Sequence, residues 1–245
     1  NGFSLMRVWC GEIAGLVDLL EQHPGVTVAG RIAEPVIRFE GPTAIRTVLA
    51  GDVAQQLKGL VELMDNNPMV CAESMSVPDP ASTLALIGVG PLARAGMMLE
   101  APAVLYSFAD FDEDLVNRFG ATEGWNEGVT CGSDSHDLGE CLSANAMIKV
   151  SSSVTPEEID SVFFEAYSRS FFVRHAEDGD WDVNLVAGKP WAAYRLRLTE
   201  GVNASLVTAQ IIASKTGKLG AAQMVHAMNV MAGFEESLGL ESQPD

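Results

Sequence analysis

Residues 5–29 read LMRVWCGEIAGLVDLLEQHPGVTVA, and this stretch decides the fold class of the N-terminal half. The apolar run at residues 5–8 predicts a short strand that ends at Cys10 and Gly11. A helix is predicted next, because apolar residues recur at helical spacing from Ile13 to Leu20. The turn at residues 23–25 ends that helix, and the β-branched run at 26–29 predicts a second strand. Strand, helix and strand in this order begin a βαβ unit.

The alternation of strands and helices continues along the N-terminal half. Asp52 is a predicted N-cap, with apolar residues at helical spacing from Val53 to Met64. The run LALIGV at residues 84–89 is continuous and bounded by turn residues, which is typical of a buried parallel strand. A helix is expected over about 91–99, and AVLYSF at 103–108 predicts another strand. This order implies a doubly wound parallel sheet.

Residues 112–140 differ in composition from what precedes them. They are rich in Gly, Asp, Glu and Ser and show little periodicity, so we predict an irregular linker. Asp110, Asp112, Glu113 and Asp114 form a carboxylate cluster at its start. A metal site is conceivable there, but acidic residues favour the first turn of a helix. We therefore predict a solvated helix start and no metal site.

The pattern changes again from residue 144. Residues 147–150 predict a strand, and Thr155-Pro-Glu-Glu is a capping box that opens a helix. A short strand is predicted over 171–174, and two strands with one solvated face over 193–198 and 205–211. An amphipathic helix follows over 219–233. Strands and helices in this order suggest an α+β domain.

Composition excludes several classes of partner. The net charge is −18, which disfavours binding to nucleic acid or to an anionic membrane surface. No apolar stretch is long enough to span a bilayer. Residues 1–4 carry no secretory pattern. Cys10, Cys71, Cys131 and Cys141 lack CxxC spacing, which favours free thiols in a reducing compartment.

The C-terminal half resembles the N-acetyl-gamma-glutamyl-phosphate reductases. The likeness rests on Thr155-Pro-Glu-Glu with Phe171-Phe-Val-Arg174, on KLGAAQMVHAMNVMAG at 218–233, and on FEESLGL at 234–240. These motifs are colinear with the family over residues 145–240. In the N-terminal half, Met6-Arg-Val and VLYSFADF at 104–111 resemble the family more weakly.

The resemblance implies a fold of two parts. It implies a Rossmann-like parallel-sheet domain followed by an α+β domain of the semialdehyde-dehydrogenase type. We predict a degenerate dinucleotide-binding domain at residues 1–111 and an irregular linker at 112–143. A reductase-like α+β domain follows at 144–245, and its C-terminal helix returns to the first domain.

The family binds NADPH through a glycine-rich turn, and this chain departs from that pattern. The turn here includes Trp9, Gly11, Glu12 and Gly15. Only Gly15 falls in the family's register, while Trp9 and Glu12 stand at the other two glycine positions. A bulky ring blocks close approach to the pyrophosphate, and a carboxylate repels it. No cofactor is therefore predicted.

The family's catalytic groups are also missing. Its nucleophile lies in an Asn-Pro-Gly-Cys motif; one register places Pro80 there, and another leaves Cys131 as the nearby thiol and a weak candidate nucleophile. The histidine-rich catalytic segment is absent, and His136 resembles a different family histidine. None of the residues His23, His175 and His226 has nearby residues in the sequence whose pattern indicates acid–base chemistry.

These losses predict a pseudoenzyme. The main hypothesis is a structural subunit of a larger complex, with other protein subunits as partners, in a mitochondrion or plastid. One alternative is a divergent NADPH-dependent acyl-phosphate reductase of arginine biosynthesis. Another is a regulatory module that binds a small ligand in the former substrate cleft.

Overall fold

The computed structural model describes residues 5–241, so the N-terminal residues on which the secretory prediction rests lie outside it. The chain forms two mixed sheets, of five and six strands, with helices packed on them. The first sheet has the order β2-β1-β3-β4-β5. Its strands are β1 (Met6–Cys10), β2 (Val26–Arg31), β3 (Ile37–Glu40), β4 (Ile45–Ala50) and β5 (Ser74–Val77). Helices α1 (Leu16–Gln22) and α2 (Asn66–Cys71) lie between them in sequence.

The first sheet is mixed, and the prediction of a doubly wound parallel sheet is wrong. β1 and β2 are parallel and joined through α1, which confirms the βαβ start. β3, however, runs antiparallel to both β1 and β4. β3 and β4 form a hairpin that is inserted between β1 and β5. The residues of this hairpin alternate between buried and more exposed positions. Such alternation is typical of a strand with one solvated face.

The second sheet has the order β7-β6-β8-β11-β10-β9. Its strands are β6 (Ala103–Tyr106), β7 (Thr130–Ser133), β8 (Cys141–Ser151), β9 (Val173–His175), β10 (Ala192–Thr199) and β11 (Ala204–Ser214). Helices α3 (Pro80–Arg94), α4 (Glu113–Gly120) and α5 (Pro156–Tyr167) share one hydrophobic core with one face of this sheet. The strand predicted at 103–108 therefore pairs with β7 and β8 and does not extend the first sheet.

The buried strand predicted at residues 84–89 is wrong, because these residues lie in the middle of α3. Asp79 caps the helix and Pro80 starts it. Every residue from Ala81 to Leu92 is buried, since the helix packs against β8 and β11 as well as α4 and α5. A helix buried on all sides gives a continuous apolar run without helical periodicity, as a buried strand does.

Two other N-terminal predictions need correction. Residues 53–64 contain only a short 3-10 turn at Val61–Leu63, and Asp52 accepts from the backbone of Ala54 without starting a helix. The segment predicted to be irregular at 112–140 contains α4 and β7. The acidic cluster does begin a helix, as predicted: Asp112 accepts from the backbone N–H groups of Asp114 and Leu115.

The predictions for the C-terminal half are confirmed at the level of elements. Thr155 and Glu158 form the predicted capping box of α5. β8, β10 and β11 cover the predicted strands, and β9 overlaps the strand predicted over 171–174 but begins at Val173. The last helix, α6 (Ala221–Ala232), packs on α1, α2 and the strands of the first sheet. Within residues 5–241, no helix is both long and apolar enough to cross a membrane.

A buried arginine attaches α6 and α2 to the first sheet. Arg46 on β4 is 7% exposed and donates to four backbone carbonyls. Three of them belong to α2 and its end, at Met69, Val70 and Ala72, and one to Met231 in α6. Carbonyls at a helix C-terminus lack intrahelical partners and carry partial negative charge, so a cation is favourable there.

Replacement of this arginine is expected to destabilise the fold. Arg46→Leu removes the guanidinium donors from these carbonyls, and we expect the free energy of unfolding to fall by about 3 kcal/mol. Urea unfolding measures the change. Arg38→Leu is the matched control, because Arg38 lies on the neighbouring strand in an exposed pair with Glu34 and should cost below about 1 kcal/mol. Equal losses in the two variants would contradict this account.

Candidate functional site

The carboxyl end of β1 is closed by the chain's own backbone. Gly11 donates its N–H to the carbonyl of Val36 at 2.9 Å, and Ile32 donates to Cys10 at 3.0 Å. A Cβ at Gly11 would lie 2.3 Å from the carbonyl oxygens of both Glu34 and Val36. Gly11 is therefore required by segment 32–36, which packs where a dinucleotide would need to approach the backbone.

The other residues of the predicted turn do not converge on a common site. The ring of Trp9 lies beside Gly30 on the parallel strand, with the guanidinium of Arg7 5.3 Å from its centroid. Glu12 is exposed. Gly15 has φ +76° and forms the N-cap of α1, which is only seven residues long. Glycine is favoured at this backbone conformation, and no ligand is needed to account for it.

Cys131 lies on β7 against the core of the second sheet. Burial and the nearby carboxylate of Glu113 raise the pKa of its thiol to about 11, although a hydrogen bond with Tyr106 opposes the shift. Glu113 also accepts from the Cys131 backbone N–H at 3.0 Å. A nucleophilic cysteine needs its thiolate, which requires the opposite shift.

The four histidines occupy separate environments. His136 is exposed and its Nδ1 lies 2.7 Å from the carbonyl of Asp134. His175 packs beside the ring of Tyr194. His23 is buried, and its Nε2 lies 2.9 Å from the side-chain oxygen of Asn229. His226, by contrast, lies beside the carboxylates of Glu62 and Glu236, which no local sequence pattern connects to it.

The buried cluster consists of Glu62, Lys218, His226 and Glu236. Lys218 donates to Glu62, and both side chains are at most 2% exposed. His226 Nε2 lies 3.0 Å from Glu236 Oε2, and its Nδ1 lies 3.7 Å from Glu62 Oε1. Because an ionised carboxylate only accepts, Nε2 donates to Glu236. Phe172 stacks on the imidazole with ring centroids 3.8 Å apart.

The charges in this cluster are set by burial and by one another. Burial raises the pKa of Glu62, but the charge and the hydrogen bond of Lys218 act in the opposite direction, and the resulting pKa lies below its ordinary value. Burial lowers the pKa of Lys218, and Glu62 opposes the shift. Burial also lowers the pKa of His226, which favours the neutral ring. The cluster is thus an ion pair with a neutral imidazole beside it.

The cluster adjoins a cleft, although most of its side chains do not reach it. The cleft has a volume of about 750 Å³ and lies between the 3-10 turn at Val61–Leu63, the end of α3 and the end of α5. Side-chain exposure is 0% for Lys218 and His226 and 2% for Glu62, whereas that of Glu236 is 47%. A ligand in the cleft would therefore meet Glu236, while the imidazole stays behind it.

Sequence reasoning missed this cluster for a clear reason. Glu62 and Lys218 are 156 residues apart in the chain, so no local spacing connects them. One signal was available: Lys218, His226 and Asn229 are polar residues in an otherwise apolar segment, and polar groups at core positions need buried partners.

Comparison of the chain with protein-family models and with the curated proteins finds no match. Within the described residues 5–241, no group of three or more His, Cys, Asp or Glu side chains could hold a metal ion.

We expect the two buried histidines, His23 and His226, to contribute a loss of stability as the pH decreases from about 7 to about 5. The pKa values of His23 and His226 are lowered by burial from the ordinary value of 6.5. The unfolded chain therefore binds protons first, so acid favours unfolding in this range. Glu62 and Glu236 have lowered pKa values and add their losses only below the ordinary value of 4.5.

Urea unfolding midpoints measured across this range test the assignment. His226→Gln is expected to flatten the curve between pH 7 and 5, while His136→Gln, which changes an exposed histidine, leaves its slope unchanged. Equal slopes for the wild-type chain and His226→Gln over this range would refute the buried neutral state of the His226 ring.

A double-mutant cycle tests the ion pair. Lys218→Met leaves the Glu62 carboxylate buried and unpaired, and we expect a loss of about 3–5 kcal/mol in the free energy of unfolding. Lys218→Met combined with Glu62→Met should recover most of that loss, since apolar residues can replace a buried pair. The control cycle uses the exposed pair of Arg118 and Asp114, whose coupling should be below about 1 kcal/mol. Additive losses at Lys218 and Glu62 would contradict the pairing.

Proposed function

We propose that this chain is a non-catalytic subunit of a larger protein complex, a pseudoenzyme derived from the N-acetyl-gamma-glutamyl-phosphate reductases. The observation that carries the proposal is the closed carboxyl end of β1. A Cβ added at Gly11 would lie 2.3 Å from carbonyl oxygens of segment 32–36, and this segment also hydrogen-bonds to the turn. A bound dinucleotide would have to displace this backbone before its pyrophosphate could approach the turn.

The environments of the thiol and the histidines support the same proposal. Reduction of an acyl phosphate by this family's chemistry needs a thiolate, a proton-transfer group and a dinucleotide acting together. Cys131 has a raised pKa, and His226 is enclosed among Glu62, Lys218 and Phe172. The scaffold keeps two extensive cores, as selection for stability alone would require. We further propose that the complex is located in a mitochondrion or a plastid.

The divergent-reductase alternative requires segment 32–36 to move and Cys131 to ionise. A small-ligand-binding module is the second alternative, and the cleft beside Glu236 favours it. Its lining includes Glu165 on α5, Arg169 just after the end of α5, and Arg94 on α3. Charged groups of both signs around a concave surface suit a polar zwitterionic ligand.

Two measurements on the full chain distinguish the non-catalytic subunit from the reductase and from the ligand-binding module. We expect no saturable binding of NADPH up to about 1 mM by fluorescence titration, and migration with other protein chains in native gels of the source organelle. Cys131→Ala should leave that migration unchanged. NADPH binding together with an acyl-phosphate reductase activity abolished by Cys131→Ala would favour the enzyme. A chain that migrates alone, without NADPH binding, would favour the ligand-binding module.

A further inference from the structure

One face of the second sheet is covered by helices, and the opposite face is covered only in part. At one end of that opposite face, Ala193 and Ile212 lie under apolar residues of segment 181–191. Beyond them no described helix packs on the strands. We call the remaining area the open face, and it consists of Asn145, Lys149, Arg195, Arg197, Thr208 and Gln210 with the apolar residues between them. Most of these side chains are half-buried, and those of Lys149 and Arg197 are exposed.

Register pairing arranges the open face in three rows across β10, β11 and β8. The first row is Arg195, Gln210 and Asn145, and the second is Arg197, Thr208 and Met147. The third row ends in Lys149, opposite Leu206. Directly opposed residues on neighbouring strands have side chains on the same side of a sheet, so the rows form one continuous surface.

Hydrogen bonds within the first row leave donors at its end. Arg195 Nε donates to Gln210 Oε1, and Gln210 Nε2 donates to Asn145 Oδ1 at 2.9 Å. The Asn145 carbonyl oxygen is therefore used, and its NH₂ group remains for an acceptor. The guanidinium of Arg195 also lies 4.7 Å from the ring centroid of Trp181, which holds it over the sheet.

The charge of the open face is opposite to that of the whole chain. None of the six strands of the second sheet contains Asp or Glu, although the chain has 33 acidic residues. Arg197 is exposed and has no ion-pair partner within residues 5–241. Lys149 pairs with Glu100 at 2.7 Å, and both side chains are exposed. The strands of the open face thus contribute cations and hydrogen-bond donors but no carboxylate, with apolar residues between the charged ones.

We propose that the open face docks an acidic protein surface in the complex. This inference rests on the proposed function and adds the site and the chemistry of the partner. Carboxylates of the partner would accept from Arg197, Asn145 and Thr208, and its apolar side chains would cover Met147 and Leu206. Complementary potentials of this kind set specificity and registration between subunits.

Two other occupants fit less well. A two-fold contact between two copies would bring two open faces together, and Arg197 of each copy would then meet strands that hold no carboxylate. A nucleic acid would meet the repulsion of a chain with net charge −18.

Charge reversal on the open face tests the proposal. Tagged full-length chains are expressed in the source cells, and the fraction of each that migrates with the native complex is measured. We expect Arg197→Glu and, separately, Thr208→Glu to reduce the bound fraction about tenfold, because a new carboxylate would face the partner's carboxylates. Arg118→Glu is the matched control, since it makes the same change in charge on α4, on the helix-covered side of the sheet. It should remain bound.

Carbodiimide cross-linking identifies the occupant, because it joins Lys149 to a carboxylate in direct contact. The expected product links Lys149 to Asp or Glu of a different protein and disappears with Lys149→Arg. Melting temperatures of the purified variants exclude loss of folding, and Arg197→Gln replaces any variant that fails to fold.

Cross-links from Lys149 to a second copy of this chain, or release of the complex by nuclease, would overturn the inference. Retention of both reversed variants in the complex would overturn it while leaving the proposed function intact. A wild-type chain that migrates alone would overturn the proposed function itself.

Discussion

The ion pair between Lys218 and Glu62 is the constraint on which the arrangement of the two sheets depends. Glu62 lies in the connection between β4 and β5 of the first sheet, and Lys218 lies between β11, the last strand of the second sheet, and α6. Both side chains are almost fully buried. A charge removed from water in this way is tolerated only beside its partner, so the pair fixes these two chain segments against each other.

Further contacts attach α6 to its neighbours at both ends of the helix. His226 stacks on Phe172 beside β9 and donates to Glu236, while Asn229 donates to the carbonyls of Glu236 and Leu238. Arg46 then holds the other end of α6 to the first sheet. The last helix therefore belongs structurally to the first sheet, although it follows the second sheet in sequence.

This arrangement also explains why residues that look chemically active need not act on a substrate. The imidazole of His226 lies near two carboxylates and an ammonium, which is a common composition for an acid–base site. Its position behind Phe172 and Glu236, with no exposed side-chain surface, makes it part of the packing. The partly covered face of the second sheet and the cleft beside Glu236, by contrast, are accessible from solvent.

The sequence by itself determined those elements whose signals are local. The capping box at Thr155, the βαβ start at residues 6–31 and the half-solvated strands β10 and β11 follow from spacing and periodicity within a few residues. Only the tertiary structure decided that residues 84–89 are helical, because burial on every side removes the periodicity that distinguishes a helix from a strand. It also decided the hairpin inserted beside β1 and the pairing of Lys218 with Glu62, since contacts between distant segments leave no pattern in either segment alone.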